Sequence, residues 1–153
     1  MKTLELKIVP DVVLIVVAVG MWGATLIIPS FNLPFAARMV GGLIVGISGL
    51  GIVQAAGVYF RRSGTTVDPT TPGATSSLIT SGVYRFTRNP IYLGMTLVLI
   101  GWAVFLLNPL SFALIVVFVI YITRFQIIPE ERELTTLFGA EYAGYQKRVR
   151  RWL

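Results

Sequence analysis

The chain has 153 residues, 55% of them hydrophobic and 13% charged, and its mean hydropathy of +0.77 is too high for an ordinary soluble domain of this size. Lys and Arg number 13 against 7 Asp and Glu, a formal charge of +6, which in so apolar a chain reads as membrane orientation and a membrane surface, not as a nucleic-acid footprint. With no Cys and no His, disulfide frameworks, thiolate nucleophiles, imidazole bases and the commonest metal ligands are excluded, so no metal site is expected and any chemistry must run on Glu, Asp, Tyr, Arg, Asn and backbone.

A membrane-crossing helix needs about 20 mostly apolar residues, roughly 17 at the short limit. Four windows meet that, at about 8–29, 35–60, 91–107 and 110–127. The first is read as a span and not as a cleaved leader, because its apolar run is long and no small-x-small site follows Val12 to Val17. The second carries Gly42, Gly46 and Gly49 on one face at four- and three-residue spacing, which admits close approach of another helix. In the first reading that helix belongs to the chain's own bundle; in the second the face is a homo-oligomer seam. After a long Ser-, Thr-, Gly- and Pro-rich loop over 61–90, the last two windows are separated only by Asn108-Pro109 and form a helical hairpin. Beyond Pro129, residues 129–153 predict an amphipathic helix at the lipid boundary. Phe138, Tyr142, Tyr145, Val149 and Trp152 form its apolar stripe, and Lys147, Arg148, Arg150 and Arg151 its flanks.

With four spans, Lys2, Lys7, Arg61, Arg62, Arg85, Arg88, Arg124, Arg132 and the four flanking basic residues fall on one side, and only Arg38 on the other. The positive-inside rule then places both termini and the long loop in the cytoplasm. The expected fold is an all-α membrane protein, a single domain over 1–153. It has four transmembrane helices, a long cytoplasmic loop and a C-terminal amphipathic helix.

No ionisable residue lies in the middle of a span, which argues against a small four-helix transporter; Asp11, Arg38 and Arg124 sit near span ends, where capping or snorkelling accounts for them. Polar residues gather in two blocks on the cytoplasmic side. The first is Leu78 to Gly94. There Asn89 suits a helix N-cap and Pro90 the first helical position, while Tyr92 and Gly94 offer an aromatic ring and exposed main chain. The second is Gln126 to Leu134, whose acidic turn complements a helix dipole. Both blocks lie at one depth and flank one hairpin, so they can line one pocket. Carboxylates there suit a vicinal diol or an ammonium, Tyr rings a cation, and Arg a carboxylate; S-adenosylmethionine fits this inventory, as other nucleosides do.

The stretch LITSGVYRFTRNPIYLG (Leu78 to Gly94) is followed after the hairpin by Glu130-Glu131, then by Leu137 to Tyr142 with Tyr145 and Arg148-Val149-Arg150. Across about half the chain this order resembles the isoprenylcysteine carboxyl methyltransferase family and its phospholipid N-methyltransferase relatives. The resemblance implies an integral membrane methyltransferase that takes S-adenosylmethionine from the cytoplasm and a lipophilic acceptor, whether carboxylate, amine or thiol, from the bilayer. It implies cofactor contacts from Ser76, Ser77, Leu78, Ile79, Tyr84, Arg88, Asn89, Pro90, Ile91, Tyr92 and Gly94, with Glu130 accepting from the cofactor's polar groups and Glu131 supporting it. No covalent intermediate is expected. Glu131 and Tyr84 are the candidates for a proton relay to an amine, and Arg85, Arg124 and Gln126 for contacts to the acceptor. Asn89 and Gln126 depart from the His and Arg of the eukaryotic enzymes, and the chain has fewer spans. It thus resembles a compact microbial form, expected in a prokaryotic inner membrane. A non-catalytic membrane adaptor that keeps the pocket without turnover is the remaining alternative.

Overall fold

Proline marks where the helices begin. In the computed structural model, which describes residues 6, 8–62 and 77–153, four helices carry Pro in their first turn, where a missing N–H breaks no intrahelical bond. These are α1 (Pro10–Ala24), α3 (Pro90–Leu106), α4 (Pro109–Ile122) and α5 (Ile128–Arg148). The remaining long helix, α2 (Phe35–Arg62), starts just after Pro34. All regular structure among the described residues is helical. Lys2, Lys7 and Ser76 lie outside the described residues.

The helices run alternately between two ends of the molecule. At one end the loops are pinned together: Phe31 N donates to Leu107 O (2.9 Å), Asn108 Nδ2 to Ile28 O (2.7 Å) and Arg38 Nε to Phe105 O (2.7 Å). The start of α1, the end of α2, the start of α3 and α5 gather at the other end. A core of Met21, Leu99, Ala103, Phe118, Ile122 and Ile127, fully shielded from solvent, joins α1, α3, α4 and the turn before α5.

The glycines of α2 belong to this bundle. A Cβ on Gly49 would stand 2.6 Å from the Gly94 carbonyl, and one on Gly101 2.6 Å from the Gly42 carbonyl, so α2 and α3 lie antiparallel in backbone contact. Gly42 and Gly49 face α3 of the same chain, which takes the face that a homo-oligomer seam would need.

Outward, the helices present Val16, Val19, Ile44, Ile47, Val116 and Ile120, all exposed. Two runs, Phe35–Arg61 and Pro109–Arg148, are long and apolar enough to cross a membrane; Pro10–Ala24 and Pro90–Leu106 are apolar but shorter. An apolar shell of this extent is the signature of an integral membrane protein.

Three boundaries differ from the sequence reading. The first apolar window stops being helical at Ala24, where Thr25 Oγ1 turns onto Trp22 O (2.7 Å) ahead of Pro29. The fourth runs without a break through a π turn (Thr123–Ile127) into α5. Pro129 cannot donate to Phe125 O, and that carbonyl accepts instead from Leu6 N (3.1 Å), so the wider turn absorbs the proline. Finally, α5 is kinked at Gly139 (φ 48°, ψ −117°) and stops at Arg148, with Val149 extended; residues 149–153 fold back and do not continue the amphipathic helix.

Candidate functional site

At the end where α1 begins, α2 ends and α3 begins, a cavity of about 390 Å³ opens, within the roughly 300–1,000 Å³ of small-molecule sites. From the sequence-predicted set it brings together Ser77, Leu78, Ile79 and Tyr84 with Arg88 to Tyr92 and, across the cavity, Glu130 and Glu131. Ser76 falls outside the described residues.

Four predicted residues stand elsewhere. Gly94 is buried in the α2–α3 seam, where it serves helix packing and does not reach the cavity wall. Gln126 is buried outside the cavity lining and donates through Nε2 to Ile8 O (2.6 Å), tying the segment before α1 to the π turn. Arg85 is exposed outside the cavity, and Arg124 lies over the Phe125 ring, 5.7 Å from its centroid, also outside the cavity.

The loop before α3 is fixed from behind by the segment after α5. Arg88 N donates to Arg150 O (3.0 Å), while Asn89 Nδ2 (2.9 Å) and Thr87 Oγ1 (3.2 Å) both donate to Arg151 O. Asn89 thus holds the N-cap position of α3 without capping it through its side chain; its amide is spent on the Arg151 carbonyl. Tyr145 Oη donates to Tyr84 O (2.6 Å), joining α5 to the short 3-10 turn Gly82–Arg85.

The charged groups divide into two sets. Glu131 is saturated: Arg88 Nη2 meets its Oε1 at 3.0 Å, and Arg151 grips both oxygens, Nε to Oε1 at 3.1 Å and Nη2 to Oε2 at 2.7 Å. That hydrogen bond raises the Arg151 pKa above its ordinary value. Arg88, nine-tenths buried, keeps Nε and Nη1 buried with no hydrogen-bond partner. Buried guanidinium donors of this kind are costly unless an anion meets them. Glu130, by contrast, accepts among the described residues only from the Tyr92 hydroxyl; desolvation pushes its carboxyl up to about 7, opposed by that hydrogen bond and reinforced by the charge of Glu131.

Burial likewise holds the phenols in their neutral form, Tyr84 and Tyr145 well above their ordinary value and Tyr142 at about 12. Tyr84 is thus held neutral and both oxygens of Glu131 are engaged by guanidiniums, whereas Glu130 lines the cavity without such a pairing among the described residues.

Sequence reasoning passed over part of the wall. Asp11, read as a span-end charge, lines the cavity from α1, as Gln54 and Arg61 do from α2 and Tyr142 and Tyr145 from α5. A polar Gln54 within the apolar stretch from Gly49 to Val58 was the available signal. Arg151 looked like one more flanking cation, and its tie to Glu131 depends on a chain reversal with no local signature.

A family model described as phospholipid methyltransferase matches residues 37–141. An uncharacterised Haemophilus influenzae protein is 41% identical over 63 residues, 41% of this chain and 100% of that protein. Protein-S-isoprenylcysteine O-methyltransferase A of Arabidopsis thaliana is 38% identical over 111 residues, 71% of this chain and 55% of that enzyme. Its namesake in Saccharomyces cerevisiae is 40% identical over 75 residues, 47% of this chain and 30% of the yeast enzyme. The aligned chain thus spans about half or less of these two enzymes. No solved structure matches.

Proposed function

The chain belongs to the phospholipid methyltransferase family, and on that premise we propose that it transfers a methyl group from S-adenosylmethionine to a lipophilic acceptor at the cytoplasmic face of a prokaryotic inner membrane. The observation that carries this reading is the presence, around one cavity, of unpartnered Arg88 donors and the carboxylates of Asp11 and Glu130. A zwitterionic amino-acid end needs both.

The donor set fits the cofactor. Arg88 would take its carboxylate, Asp11 and Glu130 would accept from its ammonium and ribose hydroxyls, and Tyr84, Tyr142 and Tyr145 supply aromatic faces suited to a sulfonium. When bound, the cofactor supplies a methyl group activated by that sulfonium. The protein's share is orientation and exclusion of water by the apolar walls from Val53, Met95 and Leu134; well-aligned proximity is worth roughly 7–11 kcal/mol. A carboxylate or thiolate acceptor needs no base. An amine must lose a proton, and Glu130 is the residue placed to hold it.

Under this reading α1 to α4 cross the bilayer, with the cavity and every basic residue but Arg38 on the cytoplasmic side. The acceptor comes from the lipid phase that bathes the apolar shell. Equilibrium binding of S-adenosylmethionine and S-adenosylhomocysteine to the purified protein in detergent tests the proposal. Affinity in the micromolar range, weakened about tenfold or more by Glu130→Gln in folded protein, supports it and justifies a search for the acceptor among lipids. Absence of binding in folded, bilayer-reconstituted protein sinks it.

A further inference from the structure

Around Glu131 two guanidiniums share one carboxylate, and the sharing is unequal. Arg151 takes the bidentate grip, Nε on Oε1 and Nη2 on Oε2, and leaves Arg88 a single contact through Nη2. The cluster carries one positive charge in excess, and that excess sits beside the two Arg88 nitrogens that have no partner. A two-point fork is the strongest geometry open to Arg and a carboxylate. Were the Arg151 side chain removed, Arg88 would find Glu131 Oε2 free and could close on it with two donors.

We propose that Arg151 is a positioning residue for the anion-binding end of the cavity: by holding both oxygens of Glu131 it keeps Arg88 from closing on that carboxylate, and so leaves the Arg88 guanidinium, part of the cavity lining, able to turn its unpartnered donors toward the carboxylate of the bound ligand. This rests on the methyltransferase reading above. Arg151 does not line the cavity, so its effect is transmitted through Glu131 and Arg88. Its backbone has a separate task. The carbonyls of Arg150 and Arg151 hold residues 87–89, and Trp152 packs on the core. A side-chain substitution at Arg151 therefore tests the charge arrangement while the folded-back segment keeps its anchors.

The experiment compares S-adenosylmethionine with its decarboxylated form, which lacks only the group assigned to Arg88, by equilibrium binding to the full chain and to Arg151→Gln. The unmutated protein is expected to prefer the carboxylate-bearing ligand by about tenfold or more, as charge-assisted hydrogen bonds require. In Arg151→Gln that preference should fall towards one, with affinity for the decarboxylated ligand changed less than about twofold. Arg151→Lys, which restores charge without the planar fork, should recover only part of the preference, and it carries the same comparison should Arg151→Gln fail to fold. An unchanged preference, or parallel weakening of both ligands, overturns the positioning role and leaves the cofactor reading standing. Binding of neither ligand by the unmutated protein overturns both.

Discussion

Glu130 and Glu131 are neighbours in sequence with opposite surroundings, and that contrast governs how the site answers to pH. Glu131 is ion-paired with both Arg88 and Arg151. Glu130 pairs with no cation among the described residues, and desolvation is the main cause that raises it from 4.5 to about 7. A cationic ammonium beside Glu130 favours the ionised form, so affinity for S-adenosylmethionine should fall as pH drops through about 7, and Glu130→Gln should flatten the profile; calorimetry between about pH 6 and pH 8 measures it. In ligand-free protein the sign reverses. A carboxyl raised by folding contributes stability that is fully present below its unfolded value of 4.5 and is lost as pH rises through about 7, so the thermal midpoint should decline across that interval in the parent and not in Glu130→Gln. The sequence marked the acidic pair as a site feature, yet it could not divide the labour between its members. The division is made by Arg88 and Arg151, which only the tertiary fold brings to Glu131.

At the scale of elements, helix starts were legible, as were the ends of α2 and α3, but the ends of α1 and α5 were not. Pro10, Pro90, Pro109 and Pro129 announce first turns through chemistry that is local to them. The end of α5 and its kink depend on distant carbonyl partners and on one backbone angle. That angle is Gly139, at φ 48°, a conformation that costs a residue with a Cβ about 1–3 kcal/mol. Gly139→Ala should destabilise the protein by that amount and weaken cofactor binding by shifting Tyr142 and Tyr145, although an added Cβ would meet nothing within 4 Å; chemical denaturation together with ligand binding reads both effects. The α2–α3 seam gives a sharper contrast. A Cβ at Gly49 would stand 2.6 Å from the Gly94 carbonyl and 2.9 Å from Leu97 Cβ, whereas at Gly46 nothing lies within 4 Å. Gly49→Ala should therefore cost about 1–3 kcal/mol by forcing the helices apart, and Gly46→Ala should be near neutral. Equal effects at the two positions would mean that the glycine face does something other than pack on α3.

Over the whole molecule, the contacts restrict how the chain can sit in a bilayer. Suppose only the two longest apolar runs crossed. Then α3 would stay on the side where α2 ends, and the run from Pro109 to Arg148 would carry Glu131 to the opposite side from Arg88. The ion pair between those residues (3.0 Å) and the hydrogen bond from Arg88 N to Arg150 O (3.0 Å) forbid that separation. With α3 antiparallel to α2 along the glycine seam, and with Phe31 and Leu107 bonded at the other end, the proposed crossing by α2 would carry α3, α4 and α1 through the same slab. At 15 and 17 residues, α1 and α3 would measure about 22 and 26 Å against roughly 30 Å of hydrocarbon, a mismatch that local thinning or polar flanking residues can accommodate. Because the sequence holds no Cys, single cysteines placed at the exposed positions Asn32 and Arg85 make this testable without background. In sealed vesicles of known orientation, a membrane-impermeant maleimide should label Asn32→Cys from one side only and Arg85→Cys from the other side only. Labelling of both from a single side would leave α2 unable to span, and the apolar shell would then need a covering other than lipid.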